Sequence, residues 1–109
     1  MIRCLYMSIE QEPRPDSEPQ PRFTLGQIVG TPGALEALKQ ADQQFVELIA
    51  RHVTGDWGEV PDEDKAENEF SLEHGLRLMS AYTLNNGVKV WVITEHDRSA
   101  TTILLPEEY

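Results

Sequence analysis

Apolar side chains recur at every third or fourth position between residues 32 and 53 and at every second position from residue 76 onward, so the chain passes from a helical to an extended period. The later segment is the more informative. Residues 76–84 and 88–94 are rich in β-formers and flank Asn85-Asn86-Gly87, which reads as a β-hairpin with a three-residue loop and Gly87 in the left-handed position. That loop sets Leu84 opposite Val88, Tyr82 opposite Val90, Ser80 opposite Val92 and Arg77 opposite Glu95. Leu76, Leu78, Tyr82, Leu84, Val88, Val90 and Val92 then share one face, while Met79, Ala81, Trp91 and Ile93 share the other with Arg77, Thr83 and Lys89. A two-residue Asn86-Gly87 loop would put Leu84 opposite Lys89 and Leu78 opposite Glu95, which mixes the faces. The strand holding Trp91 is apolar on both sides and is expected to be central. Residues 95–99 turn the chain, residues 100–105 supply a third strand, and Pro106 stops it.

Upstream, Thr31-Pro32 marks a helix start, because a Thr hydroxyl accepts from orphan amides and Pro at the first helical position loses no hydrogen bond. The apolar stripe runs Leu35, Leu38, Phe45, Ile49 and Val53, but Asp42 falls where the stripe needs an apolar residue. The segment is either one bent helix or two helices, over 32–41 and 43–53, with Asp42 capping the second and Gly55 ending it. Residues 59–73 are polar, and Pro61 followed by Asp62, Glu63 and Asp64 predicts a short helix whose first-turn carboxylates suit its dipole. Before all of these, Phe23, Leu25, Ile28 and Val29 predict a short strand interrupted by Gly26. Residues 8–22 carry Pro13, Pro15, Pro19 and Pro21 with almost nothing apolar to bury, so residues 1–22 are expected to be a disordered tail. The resulting fold class is α+β: a single domain over 23–109 with N-terminal helices packed on a C-terminal three- to four-stranded antiparallel meander.

A chain of 109 residues suits one domain with one modest core. Its net charge of −10 disfavours direct binding to nucleic acid, and the nine Lys and Arg are scattered rather than clustered. Cys4 is the single cysteine and has no internal partner, so a cytoplasmic location is expected. Residues 1–7 are too short an apolar stretch for a signal peptide or a membrane span, and Met7 is as good a start as Met1. Neither a membrane nor a cofactor is expected.

The charge is concentrated. Residues 56–73 hold Asp56, Glu59, Asp62, Glu63, Asp64, Glu67, Glu69 and Glu73 against Lys65, a local net of −7. Such a surface is either a solvated face that aids solubility or a docking surface for a basic protein partner, centred on Asp62, Glu63, Asp64, Glu67 and Glu69. A mimic of the nucleic-acid phosphate backbone is a variant of the second reading. Calcium fits poorly, since 62–67 lacks the ligand and the Gly that an EF-hand loop needs at its fifth and sixth positions. Zinc would need Cys4, His52, His74 and His96, which show no paired spacing.

A second set of residues carries chemistry: His52 and Asp56 at a helix end, Arg77, Ser80 and Tyr82 on one strand, and Thr94, Arg98, Ser99, Thr101 and Thr102 beyond. His for proton transfer and Arg for developing phosphorane charge are the parts of a metal-independent ribonuclease, with His52, Arg77 and Tyr82 the candidate catalytic residues. Each also has a plain role. His52 can cap a helix C-terminus, Arg77 can pair with Glu95, Asp97 and Ser99 suit a turn, and threonines suit strands. Ser80, a small hydroxyl among apolar neighbours, requires a hydrogen-bond partner, and Trp57 between two glycines suits an anchor in a tight turn. The hairpin register points Arg77 and Tyr82 to opposite faces.

HVTGDWG at 52–58, RLMSAYTL at 77–84, KVWVITE at 89–95 and DRSATTILLPEEY at 97–109 resemble a group of small uncharacterised proteins encoded on bacterial plasmids and other mobile elements. The resemblance spans 23–109 and implies a bacterial mobile-element origin without bringing an activity. In element order alone the chain is similar to ribonuclease toxins of the RelE and barnase type. No catalytic motif of theirs matches here, so that resemblance assigns no residue a role. Together these features lead to the expectation of a non-catalytic acidic accessory protein, with a small ribonuclease as the alternative and a purely structural subunit of an oligomer, such as a homodimer, as a third reading.

Overall fold

The computed structural model describes residues 20–109; expectations about the first nineteen residues, including the tail, Cys4 and the two start methionines, lie outside it. A short strand β1 (Gln27–Gly30) leads into helices α1 (Pro32–Ala41), α2 (Phe45–Val53) and α3 (Asp62–His74), followed by strands β2 (Leu78–Thr83), β3 (Lys89–Thr94) and β4 (Ala100–Leu104) and a 3-10 turn at Pro106–Glu108. The α+β class holds. The sheet, however, is mixed: its order is β1-β4-β3-β2, and β1 runs parallel to β4 with Gln27 beside Ala100 and Gly30 beside Ile103. The purely antiparallel meander is therefore β2-β3-β4, and a strand precedes the helices. A four-residue strand with no hairpin turn to a neighbour carries no sequence signal for its direction.

The hairpin register is the expected one. Tyr82 pairs with Val90, Ser80 with Val92 and Leu78 with Thr94, while Leu84 donates to the Val88 carbonyl and Gly87 takes a φ of 86°. With β4 on its other side, β3 is interior, as its two apolar faces require. Tyr82, Leu84, Val90, Val92 and Ile103 form one core with Ala34, Ala37, Leu38 and Ala41 of α1 and Leu48 and Ile49 of α2.

Thr31 caps α1 by accepting from the Ala34 amide at 3.2 Å. The chain breaks into two helices at Asp42, which ends α1 in the left-handed conformation (φ 56°) instead of starting α2. Gln44 precedes α2 and its amide bonds the Glu47 carboxylate, one half of a capping box. The predicted stripe is rotated relative to the buried one, for Leu35 and Phe45 are 48% and 44% exposed. Alanines line the buried side of α1 and let it approach the sheet closely, a feature that a search for large apolar residues misses.

The outer edge of β2 is closed. Ala81 exchanges backbone hydrogen bonds with Trp57 and Glu59, and the Asn68 side chain bonds both the amide and the carbonyl of Met79 at 3.2 and 2.7 Å. Asn68 thus substitutes for a strand and fixes α3 along that edge. Gly58 lies in the contact with φ 75°, and a Cβ there would strike the Ala81 carbonyl. Trp57, Val60, Leu78 and Ala81 form a second buried cluster around this edge.

Candidate functional site

His52 is on the buried side of α2, one turn after Leu48, and has no solvent exposure. Its Nδ1 is 2.6 Å from the Ser80 hydroxyl and its Nε2 is 2.9 Å from that of Thr94; Thr94 in turn lies 2.8 Å from the Thr101 hydroxyl, which is 2.8 Å from the Leu25 carbonyl. The direction of this chain follows from its last link. A carbonyl only accepts, so Thr101 donates to Leu25 and has no proton left for Thr94. Thr94 therefore donates to Thr101 and accepts from His52, which must be protonated at Nε2, and Ser80 donates to the bare Nδ1. One ordered chain runs Ser80, His52, Thr94, Thr101, Leu25 across three strands, with each of its three hydroxyls satisfied.

Burial holds His52 neutral, pushing its pKa down to about 4, with the Arg98 guanidinium as a smaller cause. Phe23 and Trp57 meet the imidazole edge-on at 5.2 and 5.7 Å. His52 is thus a sealed, neutral core group, which fits neither the helix-capping cation nor the proton-transfer residue that its sequence position offered.

Tyr82 is also buried, and burial raises its pKa to about 12. Its hydroxyl donates to the Asp56 carbonyl at 2.6 Å, and the Arg51 guanidinium, paired with the Asp56 carboxylate at 2.7 Å, covers its ring. Arg77 is exposed with its guanidinium 5.4 Å from the centre of the Tyr109 ring, and no ion pair joins it to Glu95 among the described residues. His52, Arg77 and Tyr82 are therefore not gathered at one opening. Arg98 serves the fold: in the left-handed conformation (φ 60°) it donates to the carbonyls of Leu76 and Glu95 at 2.8 and 2.9 Å, tying the end of α3 to the β3–β4 turn. HVTGDWG reads throughout as a structural junction, in which Asp56 accepts from the Gly58 amide and Trp57 donates to Glu69 at 3.0 Å.

The carboxylates of α3 differ in their partners. Glu69, itself exposed, accepts from Trp57 and takes a bidentate pair from Arg22 at 2.7 and 2.9 Å, which holds its pKa below the usual range. Arg22, placed in the tail by its sequence, belongs to the fold, and its amide also bonds the Val53 carbonyl. Asp62 lies 4.0 Å from Lys65. Glu63, Asp64 and Glu67 are exposed and make no hydrogen bond or ion pair among the described residues. Asp64 and Glu67 border a shallow cleft of about 240 Å³ whose other walls are Asn68, Arg77 and Met79.

Among the described residues no three His, Cys, Asp or Glu side chains are grouped to hold a metal ion, and no helix is long and apolar enough to cross a membrane. Neither protein-family models, nor curated proteins, nor solved structures give a match to this chain.

Two features escaped the sequence. Asn68 and Ser71 are the buried positions of α3, and their signal is faint: two uncharged polar residues three apart in a run of charges. The His52 chain had a better one, since the hairpin register already turns Ser80 and Thr94 to the face that the helices cover.

Proposed function

We propose that this protein is a non-catalytic interaction protein of a bacterial mobile element that receives a basic segment of a partner protein on the outer side of α3. The observation that carries this reading is the division of the α3 carboxylates: Glu69 is committed to Arg22 and Trp57, whereas Glu63, Asp64 and Glu67 make no hydrogen bond or ion pair among the described residues, and Asp64 and Glu67 border a cleft that Met79 and Arg77 also line. A Lys or Arg side chain suits that arrangement, laying its methylenes against Met79 and its charge by Asp64 and Glu67. Asn68 anchors the helix to β2, so the surface is presented in a fixed geometry at little ordering cost. Each exposed ion pair contributes only about 0.2–1 kcal/mol. The surface therefore serves association rate and selection of a basic partner more than raw affinity. The ribonuclease reading gains nothing from His52, whose two ring nitrogens are both occupied inside the core.

Fluorescence anisotropy with a labelled octalysine probe tests this. Neutralising Glu63, Asp64 and Glu67 together should weaken binding at least tenfold at low salt and flatten its salt dependence. Neutralising Glu36, Glu107 and Glu108, also acidic and exposed, should change it less than threefold. Equal losses in the two variants would show that net charge alone drives binding and would sink the proposal.

A further inference from the structure

The two edges of the sheet are treated differently. The β2 edge is covered by residues 57–59 and Asn68, whereas β1 ends the sheet on the other side. Gln27 donates to the Ser99 carbonyl and Thr31 to that of Ile103, both at 3.0 Å, so by strand alternation Gln27, Val29 and Thr31 face β4. Ile28 and Gly30 consequently aim their N–H and C=O groups outward. Among the described residues nothing blunts this edge: β1 contains no charge, no proline and no bulge. Residues 23–35 include no charged side chain at all, in a chain whose net charge is −10. Beside the edge lies a largely apolar groove of about 200 Å³ formed by Ile28, Gly30, Leu35, Phe45 and Ile103. Its Leu35 and Phe45 are two of the large apolar residues that the core leaves exposed, as it does Val46, Phe70 and Leu76.

We propose that β1 is a self-association edge, on which a second copy of this chain pairs antiparallel about a two-fold axis through Val29. The register makes the strand self-complementary. With Val29 opposite its own copy, Ile28 of each chain meets Gly30 of the other, and the outward amides and carbonyls of both residues are all satisfied. The axis stands perpendicular to the sheet, which sets the two helical layers on one side and brings the two Leu35 and Phe45 grooves together. Charge selects the same occupant. The carboxylates of α3 lie along the β2 edge, at the far side of the four-stranded sheet, so pairing through β1 keeps the two acidic surfaces apart while the neutral segments meet. A basic partner would find no carboxylate in β1.

The pairing brings the two Val29 Cα atoms to about 4.5 Å, within the reach of a disulfide. In the full-length chain with Cys4→Ser, Val29→Cys should therefore give a disulfide-linked dimer under mild oxidation, and sedimentation equilibrium of the unaltered chain should show a monomer–dimer equilibrium. Ile28→Pro removes an outward N–H without touching the β4 ladder, and Ile28→Lys adds like charge at the contact; each should raise the dimer dissociation constant at least tenfold with an unchanged circular dichroism spectrum. A chain that stays monomeric at about 100 μM, or a dimer that survives both variants, would overturn the proposal. So would a chain that dimerises only once residues 1–19 are removed, because those residues would then be the occupant of the edge. None of these readouts depends on the α3 surface, so they are independent of the docking proposal.

Discussion

The Thr101 hydroxyl donates to the Leu25 carbonyl at 2.8 Å, and through that contact it dictates where the proton of His52 sits. Because each hydroxyl has a single proton, the direction passes back through Thr94 and leaves His52 as the Nε2–H tautomer with a bare Nδ1. Imidazole ¹⁵N shifts at pH 7 are expected to show that tautomer. An Nδ1–H form would mean that the chain runs the other way.

The same burial makes His52 a source of acid sensitivity. Its folded pKa, about 4, lies below the ordinary 6.5, so between these values the unfolded chain takes up a proton that the folded chain does not. Stability is complete above pH 6.5 and falls with pH through that window, by about 3 kcal/mol at pH 4. Asp56 and Glu69, whose pKa values are lowered through hydrogen bonds to Arg51 and Arg22, add their loss only below the carboxylate range. Urea titrations from pH 7 to 4.5 should therefore show a decline that His52→Gln lacks.

Breaking the chain at a hydroxyl should be expensive for so small a change. Thr94→Val keeps the shape but deprives the His52 Nε2–H of its acceptor and Thr101 of its donor, for an expected loss of about 1–3 kcal/mol. Thr102→Val, next to the chain but outside it, should cost less than about 0.5 kcal/mol. Thermal melts of the two variants side by side make the comparison.

Gly58 and Gly87 both have positive φ, yet they should respond differently to alanine. At Gly87 a Cβ meets nothing within 4 Å, so Gly87→Ala should lose only about 1–2 kcal/mol of backbone preference. At Gly58 a Cβ also collides with the Ala81 carbonyl, and the β2 edge must open. Gly58→Ala should therefore be the more destabilising in urea denaturation, and hydrogen exchange at Ala81 should accelerate.

These contrasts show where sequence pattern suffices. The hairpin was readable because Asn85-Asn86-Gly87 fixes the loop and the loop fixes which residues face each other. The helix beginning at Asp62 and the central position of β3 followed from similarly local signals, whereas the break at Asp42 left one bent helix and two helices equally open. What was not legible depends on partners far apart in the chain. Nothing near residue 28 tells that β1 joins β4 in parallel, and nothing near Asn68 tells that it pairs with Met79. The same holds for the site: the acidic run is visible in sequence, but Glu69 leaves it for Arg22, forty-seven positions away. His52 was noticed for its chemistry, and only tertiary packing turns it from a base into a buried strut.

The most direct test of the central claim, that this protein acts through the open carboxylates of α3, is a titration of the ¹⁵N-labelled chain with octalysine followed by amide chemical shifts. The account predicts shifts confined to residues 62–68 with Arg77 and Met79, disappearing when Glu63, Asp64 and Glu67 are neutralised. Shifts spread evenly over the acidic residues of the whole chain, or centred on His52 and Tyr82, would contradict it.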